Sequence, residues 1–102
     1  MPQYFAVRRR RGPAWNASLP LRSQPGWTEH AAFMNGLAAE RFVVLGGPLS
    51  KDEEGEEVLL VIDAPGEAAI RTRLDADPWT RSGQLKIVRI EPWTILLDTR
   101  SR

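Results

Sequence analysis

The residues best suited to chemistry in this chain are one histidine and one aspartate. His30 is the only histidine, and Asp77 stands directly before Pro78-Trp79. Imidazole is the side chain whose ordinary titration falls near neutral pH, and a carboxylate set against one ring nitrogen fixes where the ring carries its proton. Such a pair is a general acid–base unit. The chain has no cysteine, and one histidine cannot assemble the usual zinc ligand sets. No metal and no cofactor is expected, which leaves proton transfer as the chemistry these residues can offer.

Each of the two also has a simpler reading. His30 lies on the apolar stripe of a predicted helix, where a histidine can serve as a satisfied core residue. Asp77 can cap a short helical turn that has Pro78 at its first position. The two roles are compatible, since one carboxylate oxygen can cap while the other orients the imidazole.

The elements that must position the pair follow from pattern. Residues 3–10 combine aromatic and β-branched side chains and stop at Arg11-Gly12-Pro13, which predicts strand one and then a loop. From Trp27 to about Arg41, Trp27, Ala31, Met34, Leu37 and Ala38 recur at helical spacing, which predicts helix one with His30 on its buried stripe. The apolar run 42–49, closed by Gly46-Gly47-Pro48, predicts strand two. Val58 to Ile62 predicts strand three, joined to strand two by a solvated acidic hairpin tip. Pro65-Gly66-Glu67 opens a short second helix with Ile70 and Leu74 inward, and Pro78 disfavours helical geometry at Asp77. Residues 85–97 predict a last strand interrupted at Glu91-Pro92, where the missing backbone donor demands an edge or a bulge.

The order βαββαβ belongs to the ferredoxin-like α+β arrangement, an antiparallel sheet with two helices on one face. Strands two and three are apolar at consecutive positions, so both sheet faces should leave water. Two helices cover one face only, and a second copy of the chain in a two-fold homodimer is the simplest cover for the other.

Fourteen Lys plus Arg against thirteen Asp plus Glu leaves a formal charge of +1, so no global field favours nucleic acid or an anionic membrane. There is no apolar targeting segment at the N-terminus and no run long enough to span a bilayer. A soluble, cytoplasmic protein is expected, with a small molecule as its ligand. The basic run Arg8 to Arg11 starts inside strand one and alternates across its faces. Any arginine that turns inward would suit a carboxylate or phenolate, and the pattern alone leaves open which one does. Trp15 lies in a polar loop, as a lid or as a cover for the sheet edge. Gly46-Gly47-Pro48 could let a ligand approach the backbone, and Trp27, Trp79 and Trp93 could wall a pocket for a flat ring. The glycine pair is not a phosphate-binding motif, because it does not open a helix at dinucleotide spacing.

The chain resembles the YciI-like family, also called YCII-related proteins, in the dimeric α+β barrel superfamily. The resemblance is carried by Glu29-His30-Ala31-Ala32-Phe33-Met34, by Gly46-Gly47-Pro48, by Asp77-Pro78-Trp79 and by Ile90-Glu91-Pro92-Trp93, in that order. It implies one domain over residues 1–102 and a homodimer with its sheets face to face. It further implies a pocket beside a His30–Asp77 pair, with Gly47, Pro48, Trp79 and Trp93 as pocket residues. A related dehydrochlorinase acting on a chlorinated hydroxyhydroquinone implies that the scaffold supports proton-transfer and elimination chemistry without a cofactor.

The leading functional expectation is a small cofactor-independent enzyme of lyase or isomerase type, acting on an anionic or enolisable small molecule. The alternatives are a non-catalytic small-molecule-binding or accessory module and a cofactor-free monooxygenase. An RNA-recognition domain shares the element order, but strand three lacks stacking aromatics and its hairpin is acidic.

Overall fold

In the computed structural model, which describes residues 1–100, the chain forms β1 (Tyr4–Arg11), α1 (Trp27–Ala39), β2 (Val43–Pro48), β3 (Glu57–Asp63), α2 (Glu67–Asp75), α3 (Pro78–Ser82) and β4 (Leu85–Pro92). The sheet is wholly antiparallel in the order β2-β3-β1-β4. This is the ferredoxin-like α+β arrangement, with α3 added as a single short turn before β4.

The core follows from strand parity. Phe5, Val7 and Arg9 of β1 stand opposite Ile62, Leu60 and Val58 of β3, so these six share one sheet face. Leu37 of α1 and Ile70 and Leu74 of α2 pack on that face with Val7, Leu60 and Ile62. Both helices therefore cover the same side. The opposite side carries Ala6, Arg8, Leu59 and Val61, with Leu45 paired to Val61 and 55% exposed.

Two bulges bend the sheet. One lies between Val43 and Leu45 on β2. The other interrupts the β1–β4 ladder at Arg8/Arg9, where Val88 is the extra residue on β4. β4 is an edge strand, as the proline at position 92 requires. It ends at Pro92, however, and does not reach Leu97 as expected from the apolar run. Trp93 donates its backbone N–H to Tyr4, the first residue of β1, and beyond that point β1 offers no partner. Leu96 and Leu97 are accordingly almost fully exposed.

The chain after β1 is pinned to the start of β4. Gly12 donates to the Gln84 carbonyl at 2.8 Å and Ala14 to that of Gly83 at 3.1 Å. A Cβ on Gly12 would lie 2.2 Å from the Gly83 oxygen, and neither backbone can retreat without breaking these bonds. Gly12→Ala should cost about 1–3 kcal/mol, the usual range for an added methyl with no space. Chemical denaturation of the purified variant checks this, and unchanged stability would show that the junction is not tight.

Candidate active site

α1 begins at Gly26, whose left-handed backbone (φ 79°) suits glycine, and whose Cβ, if present, would crowd the Trp79 indole nitrogen at 3.2 Å. The first turn places His30 on the side that Met34 and Leu37 also occupy, at helical spacing. α3 has Asp77 as its N-cap, Pro78 at its first position and Gly83 in the left-handed conformation at its end. The capping bond runs from the Trp79 N–H to Asp77 Oδ1 at 2.9 Å.

Asp77 is fully buried and receives three donors. His30 Nδ1 lies 2.9 Å from Oδ1 and 3.0 Å from Oδ2, Arg9 Nη1 donates to Oδ2 at 2.8 Å, and the Trp79 amide completes the set. Burial alone would raise the proton affinity of this carboxyl. The bonds from His30, Arg9 and the Trp79 amide outweigh it and hold Asp77 below the usual aspartate range. With Asp77 ionised and accepting, the neutral imidazole carries its proton on Nδ1. The other ring nitrogen, Nε2, is then the one left to meet a ligand.

The His30 ring stacks on Trp79, with centroids 4.0 Å apart and planes within 7°. Trp79 is itself fixed, since its indole N–H donates to the Pro25 carbonyl at 2.9 Å. The plane of the imidazole is thus set by stacking and its rotation by Asp77.

His30 opens onto a cavity of about 310 Å³ between α1, the β2–β3 hairpin and the 12–26 loop. Trp15, Trp27 and Trp79 form its aromatic wall, with Met34, Val43 and Leu60 as apolar floor. Trp15 meets Trp79 edge to face at 5.4 Å. Arg9 and Arg11 bring positive charge, and Glu53 and Glu56 stand on the hairpin side. Among the described residues, no group of three or more His, Cys, Asp or Glu side chains converges as a metal site needs.

The structure brings His30, Asp77, Gly47, Pro48 and Trp79 to one place, with Asp77 behind His30 and not on the cavity surface. Trp93, expected from its motif as a pocket wall, does not line this cavity; it sits beyond β4 and is 44% exposed. Gly46, not Gly47, is the glycine the packing demands, because a Cβ there would lie 2.6 Å from Leu60 Cδ2, whereas one on Gly47 meets nothing within 4 Å.

Two features were not assigned from the sequence. Arg9, and less deeply Arg11, turn inward, and the apolar Val7 carries that signal, because side chains two apart share a face. The acidic hairpin tip is exposed but also clasps the 12–26 loop. Glu53 accepts from Arg22 Nε at 2.8 Å, and Glu54 accepts from the Leu21 amide at 3.0 Å. That contact brings together residues far apart in the chain, and no local pattern announces it.

An antiparallel α+β sheet with a buried carboxylate–imidazole pair at the edge of an aromatic cavity places this chain in the ferredoxin-like class of small domains. The family model of the YCII-related domain matches residues 16–94, and the chain belongs to that family. No curated protein matches it. Among solved structures it is similar to 5-chloro-2-hydroxyhydroquinone dehydrochlorinase (TftG) from Burkholderia phenoliruptrix, in complex with 2,5-dihydroxybenzoquinone. The two share 22% identity and a TM-score of 0.66, over 89% of this chain and 93% of that one. At this identity the likeness establishes the shared fold. Among the described residues no helix is long and apolar enough to cross a membrane.

Proposed function

We propose that this protein is a cofactor-independent enzyme of lyase or isomerase type that moves a proton with His30 on a flat, enolisable small molecule. The observation that carries the reading is the bond from His30 Nδ1 to Asp77, made while the ring lines the aromatic cavity. In the proposed step Nε2 takes a proton from a ring carbon or hydroxyl of the ligand and the imidazole becomes imidazolium. The electron pair left behind moves through the ring to a second carbon, which takes a proton back from the imidazolium to give a keto tautomer. Where that carbon bears chlorine, loss of a hydroxyl proton to Nε2 then expels chloride, so that HCl leaves and a quinone remains. Asp77 stabilises the imidazolium without taking its proton.

The cavity supports a ring-shaped ligand because indoles offer broad apolar faces of low conformational entropy. Its charges are largely matched within the protein. Arg9 faces Asp77, Arg11 lies 3.7 Å from Glu54, and Arg22 faces Glu53. A neutral or singly ionised phenol or quinol fits that balance better than a polyanion.

Hydroquinones, with and without a ring chlorine, test the reading. Incubation in deuterium oxide should place deuterium at ring carbons of the former and release chloride from the latter, and both signals should vanish in His30→Gln. Tight binding of these rings without exchange or release would instead favour a small-molecule-binding module, and oxygen uptake would favour the monooxygenase.

We further infer that the chain works as a two-fold homodimer in the cytoplasm, built from the residues 1–102 as one unit. Leu45, which is exposed, and the half-buried Leu59 and Ala6 form an apolar group around the buried Val61 on the sheet face that no helix covers among the described residues. Light scattering at micromolar concentration should give twice the chain mass. A monodisperse, stable monomer at that concentration would defeat the dimer.

A further inference from the structure

Arg9 is not needed to move a proton, yet it is 1% exposed and lies 2.8 Å from a carboxylate that is itself fully buried. Removing a guanidinium from water costs several kcal/mol, so its place beside Asp77 calls for an explanation beyond packing. Its remaining contacts are weak: Nη2 approaches Met34 Sδ at 3.4 Å, and Nε has no partner among the described residues.

A buried carboxylate needs a compensating positive charge, and Asp77 has two neighbours able to supply one, Arg9 and His30. Guanidinium is charged at every accessible pH, whereas imidazole is charged only when protonated. Among the described residues no other charged group touches Asp77. The elements packed on the pair contribute Trp27 and Met34 from α1 and Trp79 from α3, while Arg11, Glu53 and Glu56 line the same cavity further along. Arg11 and Glu53 have their own partners in Glu54 and Arg22.

We infer that Arg9 is a positioning residue: it serves as the permanent counter-ion of Asp77, so that His30 faces the cavity as a neutral imidazole with a free Nε2 lone pair. The inference rests on the reading of His30 as a base and supplies what that reading requires. Without Arg9, the unscreened attraction between a buried carboxylate and the adjacent ring would hold the imidazole in its protonated form, which has no lone pair to accept a proton. Arg9 thus acts through Asp77 and need not touch the ligand.

The test is nitrogen NMR of the single histidine across a pH titration without any ligand, in the parent and in Arg9→Gln, Arg9→Lys and the double variant Arg9→Gln/Asp77→Asn. In Arg9→Gln the imidazolium should persist to higher pH than in the parent. Arg9→Lys, which keeps the charge, and the double variant, which removes the need for it, should both return towards the parent curve. A folded Arg9→Gln with the parent titration overturns the inference. If that variant does not fold, the parent and the double variant decide. Matching titrations of the ring support the inference, because Arg9 then already offsets Asp77, and an imidazolium that persists to markedly higher pH in the parent than in the double variant overturns it. Because no substrate is used, a failure to find turnover leaves this result standing, and a failure here leaves the assay for turnover standing.

Discussion

Replacing His30 by glutamine is expected to lower turnover by about 10²–10⁴-fold, the usual contribution of a positioned acid–base group, while the protein stays folded. Glutamine is close to histidine in size. Its amide can donate to Asp77 much as Nδ1–H does, so the buried carboxylate keeps three donors. What it lacks is a nitrogen that gains and loses a proton near neutral pH. The expected pattern is a loss in kcat with ring binding nearly unchanged, because the aromatic wall of Trp15, Trp27 and Trp79 is intact. Rates and binding measured side by side, with circular dichroism as a check on folding, separate the cases. A variant with parent-like kcat would remove His30 from the chemistry, and equal losses in binding and rate would make it a contact for the ligand.

The fold was legible where local pattern and tertiary partner agree. Trp27 to about Arg41 is helical by spacing, and in the structure the helix runs Trp27–Ala39, ending just before Arg41 turns left-handed at φ 63°. Residues 58–62 are apolar throughout and form the centre of β3, between β2 and β1. The pattern failed where a strand needs a partner it cannot see. Residues 93–97 read as a continuation of β4, but Tyr4 is where β1 begins, and an apolar run without a neighbouring strand has no ladder to join. Helix α3 illustrates the opposite case. Asp77, Pro78 and Gly83 carry cap, first-turn and terminator signals within a few residues, enough to define a turn of helix that hydrophobic spacing alone does not show.

The site was legible in its chemistry more than in its walls. His30 and Asp77 stand out by residue type and by resemblance, and the structure sets them within hydrogen-bonding distance. Arg8 to Arg11 are identical in composition, and only parity distinguishes them: Arg9 is buried and Arg8 and Arg10 are exposed. Anchoring that parity on Val7 selects Arg9 and Arg11 together, and only burial separates them, since Arg9 is under the helices and Arg11 is at the strand's end, half-buried. Trp15 gave no such handle, because a loop residue has no period. Its place against Trp79 depends on Gln24, whose side chain donates to the Asn16 and Leu19 carbonyls and fixes the shape of the loop.

Asp77→Ala should have the largest effect on stability of any change at the site, on the order of 3–5 kcal/mol, because it leaves Arg9 buried without its counter-ion. It also removes the N-cap of α3 and the anchor of His30. The effect is a penalty on the residue left behind, so Arg9→Met/Asp77→Ala should recover part of the loss, which a double-mutant cycle in denaturant would measure. The same bonds fix the sign of the acid response. Asp77 is held below the ordinary aspartate range in the folded state, so its contribution is fully present above the ordinary, unfolded-state value. It is lost as pH falls through the lowered folded-state value, where the carboxyl takes up a proton and no longer accepts from all three donors. The parent should therefore lose stability relative to the double variant as the solution is made acidic. Parallel stability curves for the two proteins across that range would show that the buried carboxylate is not the acid-sensitive element.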